Sequence, residues 1–138
     1  MEQTLVLVKP NGVQRGLIGE VVARLERRGL SIKAARVLVV SEDLASRHYA
    51  EHAGKEFYQG LVDFITSAPV FAMVVAGPSA ITVVRAMMGA TNPLNAAPGT
   101  VRGDFGLDTR ENLVHSSDGP ESAEREIGLF FAPEDIVP

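Results

Sequence analysis

Apolar residues run unbroken from Leu5 to Val8 within Gln3-Thr-Leu-Val-Leu-Val-Lys9, a pattern that predicts a buried strand. From Leu17 to Arg28 the spacing lengthens to that of a helix, with Ile18, Val21, Val22 and Leu25 on one face and Gly29 as the stop. Ser31 to Val40 is a second β-rich run, followed by helical stretches from about Glu42 to Glu51 and from about Phe57 to Thr66. Pro69 breaks the pattern before the strongly apolar run Val70 to Val75. Ser79 is placed to cap the next helix, whose Ile81, Val84 and Met88 form an inward stripe, and Gly89 closes it.

Between Ala90 and Glu111 no period is visible, and the segment is longer than the roughly 12–15 residues of an ordinary connection, which marks it as functional or disordered. Leu113 to His115 then reads as a short strand, Gly119-Pro-Glu121 as a helix start, and Leu129 to Phe131 as a last apolar piece. No repeat or linker interrupts the chain. The order of these pieces suggests an α+β, ferredoxin-like sheet with helices on one face, in one domain over residues 1–138.

The length of 138 residues and the 46% hydrophobic content suit one domain with a real core. The absence of cysteine removes disulfides and thiolate metal sites and suits a reducing compartment. No basic region precedes a long apolar stretch at the N-terminus, and no run reaches the roughly 20 apolar residues of a membrane span, so the expected location is soluble and cytoplasmic. A net charge of −4 argues against a broad nucleic-acid footprint, which needs many clustered cations. A local pocket of a few cations for a small anionic ligand remains compatible with it.

Three histidines are present, and His115 alone lies in a polar run, Asn112-Leu-Val-His-Ser-Ser-Asp118, just after the arginine-bearing glycine loop Pro98 to Gly106. A neutral imidazole can attack an electrophile if another group fixes its tautomer and orientation. Asp118, Glu121, Glu124 and Glu126 are all close enough in sequence to be that group. Glu126 heads the four, although spacing does not single it out. Lys9 ends the first strand, where an ammonium at a turn suits an anion, while Arg85 on a helix and Arg102 in the glycine loop could fork onto phosphate oxygens. His48 and His52 stand at i and i+4, but no further carboxylate or thiolate is evidently placed with them, so a metal pair is disfavoured.

An ordered set runs through Thr4 to Pro10 with Gly12-Val13, His48-Tyr-Ala-Glu-His52, Phe57, Phe64 to Ser67, Pro69-Val70, Gly89 to Pro93, Pro98 to Phe105, Asn112 to Asp118, Glu121 to Ile127 and Phe130-Phe131. On these residues the chain, from end to end, resembles the nucleoside diphosphate kinase family. The resemblance implies a βαββαβ sheet with an inserted helical pair and a long active-site loop. It implies ping-pong transfer of a terminal phosphoryl from a nucleoside triphosphate such as ATP to a diphosphate, through phosphohistidine at His115. Glu126 would orient His115, supported by Ser117. Lys9, Tyr49, Arg85, Thr91 and Arg102 would surround the phosphates, Asn112 and Lys9 would meet the sugar hydroxyl, and Phe57 would stack on the base. Magnesium would be held mainly by nucleotide phosphates rather than by the protein, and the assembly would be a tetramer or hexamer. The chain departs from the family's usual pattern at Asn11, Ala68, Ala76 and Gly119. A second reading is a non-catalytic relative that binds nucleotide or serves in assembly.

Overall fold

A computed structural model describes all residues, Met1 to Pro138. Four strands form one antiparallel sheet in the order β2-β3-β1-β4, with β1 Glu2–Val8, β2 Ser31–Leu38, β3 Val70–Gly77 and β4 Val114–Ser116. Seven α-helices accompany it: α1 Pro10–Gln14, α2 Ile18–Arg27, α3 Glu42–His48, α4 Tyr58–Ile65, α5 Ala80–Met88, α6 Val101–Phe105 and α7 Pro120–Phe130. This is the expected α+β, ferredoxin-like arrangement. None of the helices is long and apolar enough to cross a membrane.

The central position of β1 explains its unbroken apolar run. Val6 and Val8 pack into a cluster with Val21 and Leu25 of α2 and Val84 and Met88 of α5, whereas Leu5 and Leu7 join a second cluster with Ala45, Val62, Ile65 and Phe130. Alternate residues of a strand point to opposite faces, so a strand covered on both sides must be apolar at every position. Helices therefore cover both faces of the sheet, and the expectation of helices on one face is corrected. The α3–α4 pair and α7 bury what α2 and α5 leave open.

Local signals account for most element ends. Ser41 accepts the backbone N–H of Leu44 at 3.1 Å and caps α3. Gly29, at φ 99°, ends α2, with its N–H bonded to the carbonyl of Glu26. Ser79 does not cap α5. It lies in the left-handed region at φ 52°, and the Glu2 carboxylate accepts the Ile81 N–H at 2.9 Å instead.

The segment from Ala90 to Glu111 is not featureless. It carries a 3-10 turn at Pro93–Asn95 and helix α6. Thr100 Oγ1 accepts the Gly103 N–H at 3.0 Å, and Arg24 of α2 reaches across to Asp104 at 2.7 Å and to the Gly99 carbonyl at 3.1 Å. The turn expected after Lys9 is likewise a short helix, α1, opened by Pro10 at its first position.

Candidate active site

β4 is an edge strand paired to β1, and its middle residue His115 faces a cavity of about 130 Å³. Around that cavity stand His48, Tyr49, Glu51, His52, Arg85, Ser116, Asp118 and Glu126. Larger clefts of about 350 and 550 Å³ lie at the N-terminal end of β1 and beside the arginines of α2, and neither includes a histidine.

The carboxylate that meets the His115 ring is Glu126. Helix α7 packs against β1 and brings Oε1 of Glu126 to 2.8 Å from His115 Nε2, while the Ser117 hydroxyl donates to the same oxygen at 2.7 Å. Burial opposes ionisation of Glu126, yet the hydrogen bond and charge of His115, with the Ser117 hydroxyl, hold its carboxyl at about 2. Of the four acids considered from sequence, Asp118 borders the cavity but bonds Ser122 at 2.6 Å, and Glu121 and Glu124 do not border it. With Nε2 committed to Glu126, Nδ1 is the ring nitrogen left for an incoming electrophile.

The cations form a second layer. Lys9 is buried, and its Nζ donates to Asn112 Oδ1 at 2.8 Å. Burial first, and the Arg102 charge second, lower its pKa to about 7. Asn112 in turn donates through Nδ2 to the Thr91 carbonyl at 3.0 Å, which ties the long loop to the end of β1. Arg102 is only 6% exposed and donates to three backbone carbonyls, of Gly89, Asn112 and Val114. Burial and the neighbouring Arg85 lower its pKa to about 10, so the guanidinium stays charged near neutrality. Arg85 donates to the Ser116 carbonyl at 2.9 Å from α5 and borders the cavity.

A backbone feature joins these groups. Leu113 has φ 74°, a region a non-glycine residue rarely enters, and the Val114 N–H bonds the Asn112 carbonyl at 2.8 Å across it, which makes a tight γ-turn. The Leu113 carbonyl is itself taken by the Lys9 N–H at 2.8 Å. One strained residue thus sets Asn112 beside Lys9 and delivers His115 into β4.

Tyr49 is buried beside the cavity, and burial with the nearby Glu126 pushes its hydroxyl up to about 12. Phe57, 49% exposed, stands apart with its ring 5.3 Å from His52 and Lys55 Nζ 5.7 Å above it. Thr91 is exposed, and the Thr91 group seen in a hydrogen bond is its backbone carbonyl. His48, weighed from the sequence only as a metal partner of His52, also borders the cavity. Its ring stands edge-on to His115 with centroids 4.7 Å apart, and burial, then His115, lower its pKa to about 3. Its helical spacing in α3 resembles that of any core residue, so no local signal marks it. The pairing weighed for it, with His52, is not the one formed: the cluster able to ligate an ion is His48, His115 and Glu126.

A histidine held by a carboxylate, beside buried cations on a ferredoxin-like sheet, has the makings of an enzyme that handles phosphates. The comparisons with known proteins specify which. Residues 2–136 match the family model described as nucleoside diphosphate kinase. A nucleoside diphosphate kinase of Archaeoglobus fulgidus is 62% identical over 99% of this chain and 91% of its own, and one of Listeria monocytogenes is 58% identical over 99% and 93%. Among solved structures, a halophilic nucleoside diphosphate kinase from Halobacterium salinarum in complex with CDP superposes with a TM-score of 0.97 at 53% identity, over 99% of this chain and 91% of that one. The chain belongs to the nucleoside diphosphate kinase family. Its activity is the family's, reversible transfer of the terminal phosphoryl between nucleoside tri- and diphosphates, and the reading as a non-catalytic module is set aside. Enzymes of this family use a divalent cation.

Proposed function

We propose that His115 carries the phosphoryl group in a two-step, ping-pong exchange. The observation that supports this reading most is the 2.8 Å contact between His115 Nε2 and Glu126, because it fixes the tautomer and leaves Nδ1 for attack. In the first half, Nδ1 forms a bond to the terminal phosphorus of a nucleoside triphosphate as the bond to the bridging oxygen breaks, and the diphosphate leaves with that electron pair. The imidazole becomes a phosphorylated cation that keeps its Nε2 proton, and ionised Glu126 stabilises it. In the second half, a terminal oxygen of another nucleoside diphosphate attacks the same phosphorus and Nδ1 leaves, restoring His115.

Positioning and charge supply the rest of the catalysis. Lys9 and Arg85 neutralise the phosphate oxygens, with Tyr49, Thr91 and Arg102 at the margin of the same site. The hydrogen bonds of Arg102 to three carbonyls give it a second duty, holding β4 against the loop that ends α5. Asn112 and Lys9, joined at 2.8 Å, face the sugar hydroxyl, and exposed Phe57 offers its ring to a base. Stacking suits loose base choice, since every base presents a π-face.

The divalent ion we assign is magnesium. It takes oxygen ligands, and the cluster gathered here, with two imidazoles, does not suit it. The nucleotide's phosphates would therefore be its main ligands, with Asp118 and Glu51 at the cavity edge as the protein groups placed to hold it through water. There it would screen the charge on the phosphates. We place the enzyme in the cytoplasm, as a homo-oligomer.

Incubation with γ-labelled ATP and magnesium, then a chase with GDP, tests the reading. Label held by the wild type, absent from His115→Ala and recovered as GTP is the expected result. Labelling of His115→Ala at the wild-type level would assign the carrier to another residue.

A further inference from the structure

His48 is the group at the cavity that phosphoryl transfer leaves unused. It is 3% exposed at the end of α3, and neither ring nitrogen has a hydrogen-bond partner. A buried polar atom without a partner is a stability liability and calls for an explanation. Packing does not supply one: the ring lies edge-on to Tyr49, His115 and Phe130, contacts that phenylalanine would make as well.

Ligation does. One ligating atom each from His48, His115 and Glu126 lie within 4.8 Å of one another. Two imidazoles and a carboxylate, with a fourth position facing a cavity, match what a borderline-soft divalent ion takes and what magnesium refuses. We propose that His48, His115 and Glu126 form a binding site for a nitrogen-seeking transition ion, zinc being the reference case, which blocks phosphoryl transfer by occupying His115.

Zinc–nitrogen bonds of about 2.0–2.1 Å set tetrahedral ligands about 3.3 Å apart, so the widest pair must close by no more than roughly 1.5 Å. Rotation of His48 and His115 about their side-chain bonds covers that distance. Three cations oppose the ion: Arg125, 3.7 Å from the second Glu126 oxygen, Arg85 at the cavity, and Lys9. They hold the affinity below that of a closed structural zinc site, so the site fills when free ion rises and empties when it falls. Ion binding is independent of the role given to His115 above. The block of transfer rests on that role.

The test uses EDTA-treated, nucleotide-free protein, titrated with Zn²⁺ by calorimetry and with Co²⁺ by visible absorption. The wild type is expected to take one ion per chain and to give tetrahedral cobalt bands, and His48→Phe to bind at least tenfold more weakly. Without metal, His48→Phe is expected to melt no lower than the wild type, because it keeps the ring and removes the unpaired nitrogens. Equal affinity in the two proteins overturns the site. Should His48→Phe fail to fold, histidine NMR on the wild type decides: Zn²⁺ shifting the ring signals of His48 and His115 supports the site, and shifts confined to His52 overturn it. With Mg²⁺, ATP and GDP fixed, added Zn²⁺ is expected to slow the wild type more than His48→Phe. Zinc bound through His48 with transfer unaffected keeps the site but overturns the block; the role of His115 as carrier is decided separately, by the labelling of His115→Ala.

Discussion

Lys9 shows how one buried charge couples this site to pH. Its folded pKa is about 7 against an ordinary 10.5, so between those values the unfolded chain holds a proton there that the folded chain has released. Stability therefore rises with pH across that window, and the full cost of burying the ammonium falls below it. A nucleotide's phosphates reverse the balance by favouring the charged form. Binding of a nucleoside diphosphate at pH 8 is thus expected to take up a proton, seen as a dependence of the calorimetric heat on buffer ionisation enthalpy, and Lys9→Met to abolish that dependence. Glu126 works in the opposite sense. Its folded pKa of about 2 lies below its ordinary 4.5, so its contribution to stability is complete above about 4.5 and is lost as pH falls toward 2. Glu126→Gln is expected to flatten that acid limb in unfolding experiments. It should also lower kcat about ten- to hundredfold, the worth of a charge-assisted hydrogen bond of about 1.5–3 kcal/mol. Residues of this kind were legible in the sequence because their types are chemically committed. His115 stood out by its polar setting, and the family resemblance implied Glu126, which spacing alone does not separate from Asp118 because the contact depends on the course of α7; the orphaned nitrogens of His48 needed the packing.

Elements were legible where they were long enough to show a period. The strand β1 and the helices α2 and α5 follow from spacing alone, because each buries a full stripe or run against the sheet. Helices α1 and α6 were not, since each has five residues and cannot display a period. Tertiary contacts create them. At α1 the close approach is between Gly12 and the strained turn at Leu113: a Cβ on Gly12 would stand 2.9 Å from the Leu113 carbonyl oxygen and 2.7 Å from Val8 Cγ1. Backbone cannot yield there without moving the turn that holds Asn112 beside Lys9. Gly12→Ala is therefore expected to cost about 1–3 kcal/mol, the range for overpacking a tight site, and to raise KM for nucleotide along with it. Denaturant unfolding and steady-state kinetics on one preparation check both, and a loss of stability with KM unchanged would uncouple the turn from the site.

At the scale of the whole molecule the decisive fact is that β1 belongs to both apolar clusters. Neither face of the sheet can lose its helices without exposing the strand that the other face also needs, and the candidate site takes Lys9 from the end of that strand and His115 from the strand beside it. We propose on this ground that residues 1–138 act as a single domain, and expect urea unfolding followed by circular dichroism and by tyrosine fluorescence to give coincident transitions. What the fold leaves open lies at the other edge of the sheet. There β2 pairs with no strand but β3, the Val137 N–H reaching only its Lys33 carbonyl at 3.0 Å, and Val37 at its C-terminal part and Val39 just beyond it are 61% and 63% exposed. An unpaired strand edge with exposed β-branched residues favours pairing with another chain, and a second copy of this one is the partner we assign. Sedimentation at increasing concentration is expected to show a species larger than the 14.7 kDa monomer, and Val37→Lys to shift it toward monomer. Because β2 lies two strands away from β1 and three from His115, that variant should keep its phosphotransfer per chain wherever it stays folded. Activity lost together with assembly would mean that the site depends on a neighbouring copy.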